Sequence, residues 1–327
     1  MNVAAKTILV TGAAGFVGAR FVESCRARGF ATISVDARDH FTARTEHRGV
    51  DFGRVVDRDE LFAWLARQKP AVAGIVHLGA CTDTTELDVA YLDRMNVVYS
   101  RQLWEFATTS KIPLVYASSA ATYGAGELGY DDDEALISQL RPLNPYGESK
   151  RVFDLWALAE ETAGRRPPAW SGFKFFNVYG FGERHKEKMS SVVLQATDQI
   201  RATGGMKLFR SHNPKYADGG QLRDFVHVDD VVSVLHFALE RPLARGIFNL
   251  GTGQARTFLD LARGVFGNLG VPERIEFIDT PAVLRERYQY FTEAKMDRLR
   301  AAGYTRPFLT LEEGIARYVP ALVRSAT

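Results

Sequence analysis

Cysteine is nearly absent: Cys25 and Cys81 are the two thiols in 327 residues. Two scattered thiols make neither a disulfide framework nor a metal-ligand cluster, so no metal is expected and a reducing cytoplasm is. Net charge is also small. Forty-one Lys and Arg against 39 Asp and Glu leave +2, too little to argue for nucleic acid or a membrane surface as a partner. No apolar run approaches the roughly eighteen residues that read as a membrane span. The opening "MNVAAKTILVTG" carries a short apolar run and no cleavage site, so it reads as a strand and not a signal peptide. Internal repeats, low-complexity tracts and obvious linkers are missing as well.

What is there looks like an ordinary soluble globular chain, 46% hydrophobic and 24% charged, long enough for one large or two intimate domains. The first half alternates apolar strands (7–12, 31–38, 73–80, 112–119 and 171–180) with helical patterns (16–30, 59–70, 86–110 and 146–164). Strict alternation implies a parallel sheet with helices on both faces. Beyond about residue 180 the pattern loosens into short strands, charged loops such as 210–224, and helices near 227–240, 257–269 and 310–323. The expected class is α/β, a Rossmann-like doubly wound parallel sheet with a smaller mixed α/β substrate domain. Residues 1–178 would form the first domain, with 226–245 packing back onto it, and the remainder of 179–327 the second.

"TGAAGFVG" places Gly12, Gly15 and Gly18 between a strand and a helix. The first glycine permits a tight turn, the second a close backbone approach to a pyrophosphate, the third close packing of helix on strand. Phe16 and Val17 open the helix whose N–H groups and dipole would face the phosphates. The second strand ends near Asp36, 24 residues after Gly12, whose carboxylate suits the ribose hydroxyls of NAD. Arg38 and Arg44 follow, and either could neutralise the 2′-phosphate of NADP. The residues leave NAD against NADP open.

"NPYGESK" puts Tyr146 and Lys150 four apart, on one face of a helix. A free phenol ionises near pH 10, and a lysine beside it would favour the tyrosinate and make a usable acid/base. "YASSAATYG" (116–124) puts serines at the carboxyl end of a strand, where ligands of such sheets bind. Cys81 and His77 read as packed side chains.

Together these features resemble the extended short-chain dehydrogenase/reductases acting on nucleotide sugars. The likeness runs nearly end to end, through "GACTDTTE" (79–86), "FNVYG" (176–180), "RHK" (184–186), "KLF" (207–209), "RDFV" (223–226), "GIFNLGTG" (246–253) and "RYQYFT" (287–292). Within that group it resembles the epimerases of ADP-heptose. The resemblance implies a catalytic set of Ser119, Tyr146, Lys150 and a second acid/base, Lys186, whose amine the neighbouring cations Arg184, His185 and Lys188 would make less basic. It implies NADP, with Arg38 as the 2′-phosphate contact, and cofactor contacts from Arg58, Leu78, Gly79, Ala80, Asn96 and Val178. It implies a nucleotide-sugar site from Asn177, Lys188, Phe209, Arg210, Arg223 and Tyr288. A homo-oligomer, a pentamer, feeding lipopolysaccharide inner-core assembly in the cytoplasm follows by the same resemblance.

Some positions depart from that pattern. Leu78 stands where the family suggests glutamate, Lys188 and Gln195 where it suggests serine and histidine, and the 211–222 loop is longer. These differences bear on the sugar and the base, which keeps a UDP-hexose 4-epimerase open as an alternative. A 4,6-dehydratase would need an Asp-Glu pair after Ser119, where Ala120 and Ala121 stand. A non-catalytic redox sensor on this fold would not need the Ser/Tyr/Lys set.

Overall fold

Residues Thr7–Thr11 (β1) read Thr-Ile-Leu-Val-Thr, with all but the first buried. Such a continuous run fits a strand covered on both faces. In the computed structural model, which describes residues 6–241, 245–281, 285 and 289–325, β1 lies inside a seven-stranded sheet. Its partners are β2 (Ala31–Asp36), β3 (Arg54–Asp57), β4 (Gly74–His77), β5 (Leu114–Ser119), β6 (Trp170–Phe175) and β10 (Gly246–Leu250). The order is β10-β6-β5-β4-β1-β2-β3, with every neighbouring pair parallel. Strand order reverses between β1 and β4, which opens a crevice at their carboxyl ends.

Eight helices of eight residues or more lie among the described residues: α1 (Phe16–Ala27), α2 (Leu61–Gln68), α3 (Tyr99–Ser110), α4 (Pro145–Thr162), α5 (Val192–Thr203), α6 (Val228–Glu240), α7 (Phe258–Leu269) and α8 (Leu311–Ser325). α6 packs on α1, where the His236 ring stands 4.7 Å from Phe21 and Nε2 is 2.9 Å from Ser24 Oγ. The next strand, β10, adds itself outside β6.

A smaller lobe is built from β7 (Asn177–Tyr179), β9 (Leu222–His227) and β11 (Ala255–Thr257) in one sheet and β8 (Met206–Phe209) beside β12 (Ile275–Ile278) in another. Its own core gathers Val193 and Ile200 of α5, Leu261 and Val265 of α7, and Ile315 and Val319 of α8.

Two expectations change, and one strand is new. The strand at 171–180 is two strands in different sheets. Phe176 still donates its N–H to Leu250 O at 3.1 Å, in the large sheet, while β7 pairs with β9. The helix at 86–110 is three pieces: Val89–Leu92, a π-helical stretch Asp93–Val98, and α3. A π segment widens the turn and marks functional sites, and this one carries buried Asn96. The edge strand β3 was not foreseen. It spans only four residues and its Arg54 is exposed, so no apolar run announces it.

Candidate active site

Gly12 ends β1 with φ +65°, a left-handed conformation that favours glycine. A Cβ there would lie 2.6 Å from Gly79 N, so the end of β4 sits directly against the turn. Gly18 is packed more tightly, since its Cβ would fall on Gly12 O. Gly15 caps α1 with an extended backbone, and its Cβ would approach the Gly12 carbonyl at 3.0 Å. The helix start is therefore a bare cradle of backbone N–H groups, which suits a dinucleotide pyrophosphate. Phe16 is buried as the first residue of α1 and Val17 is half-buried behind it.

At the end of β2, Asp36 is buried. Oδ2 accepts from Ala14 N–H at 3.0 Å, and Oδ1 from Ala37 N–H at 2.9 Å and from the His40 ring at 2.8 Å. Burial pulls its carboxyl upward, but these hydrogen bonds and the Arg44 charge win and leave it below the usual range. Arg44 donates to Ala14 O at 2.6 Å and so lies against the glycine turn. Arg38 is exposed, with its guanidinium 3.5 Å from Glu60. Arg58 donates its N–H to Asp36 O at 3.0 Å.

α4 begins where its caps dictate. Asn144 Oδ1 accepts from Gly147 N–H at 2.7 Å, and Pro145 occupies the first helical position. That start puts Tyr146, Lys150 and Asp154 on one face, four residues apart, all buried against β5 and β6. Asp154 accepts from Tyr116 OH at 3.1 Å, Ser118 Oγ at 2.7 Å and Lys174 Nζ at 2.7 Å. Ser118 is thereby turned to the core, and the next hydroxyl, Ser119, accepts from Ala121 N–H at 3.1 Å and stands near enough to the Tyr146 phenol to draw its pKa down. Lys150 Nζ donates to Ala117 O at 3.0 Å, and burial draws its amine down to about 8.

The expected effect of Lys150 on Tyr146 is not what the protein groups produce. Burial raises the phenol above its ordinary value. The nearby Ser119 hydroxyl opposes that rise. The lysine gives one of its three N–H donors to Ala117 O.

A buried hydrogen-bond chain fixes this region. Thr11 Oγ1 accepts from Gly79 N–H at 3.2 Å and therefore donates to His77 Nδ1 at 2.6 Å. His77 Nε2 then donates to Ser100 Oγ at 2.8 Å, and Ser100 to Asn96 O at 2.7 Å. Asn96 Nδ2 donates to Cys81 O at 3.0 Å and Ser149 Oγ at 2.9 Å, and Ser149 to Tyr146 O at 2.7 Å. Burial lowers His77 to about 3, which keeps it neutral in this relay. Leu78 and Ala80, both half-buried, flank Gly79 at the β4 end.

Lys186 sits in a short helical turn, Arg184–Met189. Its Nζ lies 5.6 Å from the centre of the Phe16 ring, which brings it to the glycine turn. Its amine is less basic than usual, but burial causes this and Glu183 opposes it. The neighbouring cations expected to do so are occupied elsewhere. Arg184 pairs with Asp198 at 2.8 Å and His185 with Glu46 at 2.6 Å. Lys188 is exposed.

Of the other expected contacts, Asn177 is exposed and Val178 half-buried on β7. Phe209 ends β8, and Arg210 is exposed beyond it. Arg223 is buried, 5.5 Å from the Phe258 ring, and donates to Leu222 O at 2.8 Å and Gln289 O at 2.5 Å. Tyr288 lies outside the described residues. Sequence reasoning missed Asp154, which repeats the four-residue step from Lys150. It also missed Lys174, a charge inside the apolar "GFKFF" strand. Both were legible signals.

These features have counterparts in known proteins. Residues 8–251 match the model of the "NAD dependent epimerase/dehydratase family". The ADP-L-glycero-D-manno-heptose-6-epimerase of Fusobacterium nucleatum is 42% identical over 323 residues, 95% of this chain and 96% of that protein. The crystal structure of the Helicobacter pylori ADP-L-glycero-D-manno-heptose-6-epimerase covers 98% of this chain and 96% of its own, at 27% identity and TM-score 0.78. The crystal structure of the Thermus thermophilus UDP-glucose 4-epimerase in complex with NAD covers 98% of this chain and 100% of its own, at 26% identity and TM-score 0.77. Parallel sheet, glycine turn and sequence likeness over most of the length agree, and the chain belongs to the NAD dependent epimerase/dehydratase family.

Proposed function

We propose that this protein interconverts ADP-D-glycero-D-manno-heptose and ADP-L-glycero-D-manno-heptose by inverting C6. The observation that carries the reading is a pair of proton-carrying groups from separate elements at the carboxyl edge of the sheet. Tyr146 on α4 stands one turn from Lys150 and near the Ser119 hydroxyl, and Lys186 lies over Phe16 beside the glycine turn. Inversion removes a proton from the C6 oxygen and a hydride from C6, then returns the hydride to the opposite face of C6 and a proton to its oxygen, so a second acid/base is useful for the turned substrate. The heptose reading also follows the names of the long relatives.

The glycine cradle and Asp36 fit a nicotinamide dinucleotide. When bound, that group supplies the hydride acceptor and donor, and the positive charge that favours tyrosinate. Tyr146 takes the C6 hydroxyl proton and Ser119 holds the same oxygen. Lys150 is fixed by Ala117 and keeps a cation behind the phenol below about pH 8. Lys186, less basic through burial, handles the proton when the ketone presents its other face. Asn177, Lys188, Phe209, Arg210 and Arg223 would hold the nucleotide sugar, with Tyr288 beyond the described residues.

NADP is the preferred dinucleotide in this reading. Asp36 already accepts three hydrogen bonds from the protein, while exposed Arg38 can turn from its 3.5 Å Glu60 contact to a 2′-phosphate. Arg38→Ala should weaken NADP binding at least about tenfold, the loss of roughly 1.4 kcal/mol, and leave NAD unchanged. Equal loss for both dinucleotides would refute the assignment. A cytoplasmic homo-oligomer, a pentamer, supplying lipopolysaccharide assembly accompanies this function by family likeness.

The test is to follow each ADP-heptose epimer by NMR with purified protein. Both should relax to one mixture with no net change in dinucleotide redox state. Lys186→Met should abolish this while dinucleotide binding persists. The departures at Leu78, Lys188 and Gln195 bear on the sugar and the base, and the second reading is a UDP-hexose 4-epimerase. Turnover of UDP-glucose with an inert heptose would establish it instead.

A further inference from the structure

We infer that Glu46 is a positioning residue that sets Lys186 over the glycine turn, and this rests on the role just proposed for that lysine. Glu46 belongs to a short turn, Thr45–His47, after β2. Its Oε1 accepts two hydrogen bonds from His185, the residue next to Lys186. The backbone N–H lies at 2.7 Å and ring Nδ1 at 2.6 Å. The partners are 139 residues apart, and their side chains are only 15% and 11% exposed, so solvent screens the pair weakly.

The contacts close a circuit. Arg44, two residues before Glu46, donates to Ala14 O in the glycine turn. Glu46 holds His185, and Lys186 reaches back to Phe16, which opens α1 from that same turn. The far side of the segment is anchored by buried Glu183. Its carbonyl accepts Lys186 N–H at 3.0 Å, and its carboxylate accepts Ser191 N–H and Oγ–H at 2.6 Å each. Glu187, directly after Lys186, has φ +46° and ψ −116°, a conformation that a non-glycine residue holds only when its surroundings impose it. The segment does not hold this shape by local preference, and the Glu46 bonds are one of the two clamps that do.

The same side chains invite a metal reading, since ligand atoms of Glu46, His47 and His185 lie within 4.8 Å of one another. The cations Arg20 and Arg44 press on His47, and Glu46 Oε1 is already filled. A divalent ion would be repelled where a hydrogen-bonded latch is favoured.

The experiment compares wild type, Glu46→Ala and Glu46→Gln, each at full length. A displacement of about 1 Å in a reacting group costs about 100-fold in rate. Glu46→Ala should therefore lower kcat about 100-fold, while NADP affinity and the sugar KM stay within about threefold. Glu46→Gln keeps an acceptor for the His185 amide and should recover most of the loss. Amide exchange by NMR gives a readout independent of turnover. His185 should lose protection in Glu46→Ala, and α1 should keep it. A kcat within about threefold of wild type, or unchanged His185 protection, overturns the inference. If wild type leaves both heptoses unchanged while His185 still loses protection, the latch stands and the epimerase reading falls.

Discussion

Asp154 and Lys174 face each other at 2.7 Å with neither side chain exposed. The pair joins α4 to β6, and two hydroxyls, Tyr116 and Ser118, also donate to the carboxylate. Lys174 also donates to Thr122 Oγ1 at 2.7 Å. A buried ion pair adds little when intact but costs much when halved.

Asp154→Ala should therefore destabilise the protein by about 3–5 kcal/mol, because Lys174 is left charged and buried. Urea unfolding would measure it. Asp154→Leu combined with Lys174→Met should recover most of that stability. A single-mutant loss below about 1 kcal/mol would show that water reaches the site.

Tyr146→Phe removes the phenolic oxygen and keeps the ring. Epimerisation should fall by about 10²–10⁴-fold, the usual contribution of a positioned acid/base. Dinucleotide affinity, measured by fluorescence titration, should be unchanged. A rate within about fivefold of wild type would move the proton to another group.

Asp230, on α6, is raised to about 6, first by burial and then by the negative charges of Asp229 and Glu313, against the Leu309 N–H and Arg317. Between about pH 4 and pH 6 the folded protein keeps a proton that the unfolded chain has lost. The folded state thus binds more protons, and this group's contribution falls as pH rises through that window. Asp230→Asn removes the penalty and can still accept from Leu309 N–H. After allowance for solvent screening, it should add about 1–2 kcal/mol at pH 7 and little at pH 4. Thermal melts at the two pH values check this, and an equal gain at both would contradict it.

Glu187→Gly relieves a positive φ. The released strain, about 1–3 kcal/mol, is partly offset by glycine's larger unfolded-state freedom. A net gain of about 1 kcal/mol in stability is expected, with faster amide exchange at Lys186. Loss of stability would mean that the carboxylate itself makes a needed contact.

The glycine turn, the Tyr146–Lys150 step and the alternating strands were legible because each is local: backbone needs at Gly12 and Gly18, helical spacing, strand composition. Asp36 was legible as the end of an apolar run. The Glu46–His185 contact was not, since the sequence does not say that residues 139 apart meet. Spacing showed a nearby cation but neither the depth of burial nor that Ala117 O takes the lysine. The π segment at Asn96 escaped because its composition is that of any helix.

The seventh strand has a consequence for how the chain assembles. β10 is synthesised about seventy residues after β6, the strand it covers. Until Leu250 has emerged from the ribosome, β6 presents a bare row of N–H and C=O groups, a template for any other extended segment. A fragment ending near residue 178 would hold the whole glycine turn and Tyr146 and still keep that open edge. It should self-associate, where the intact chain closes the edge with its own later strand.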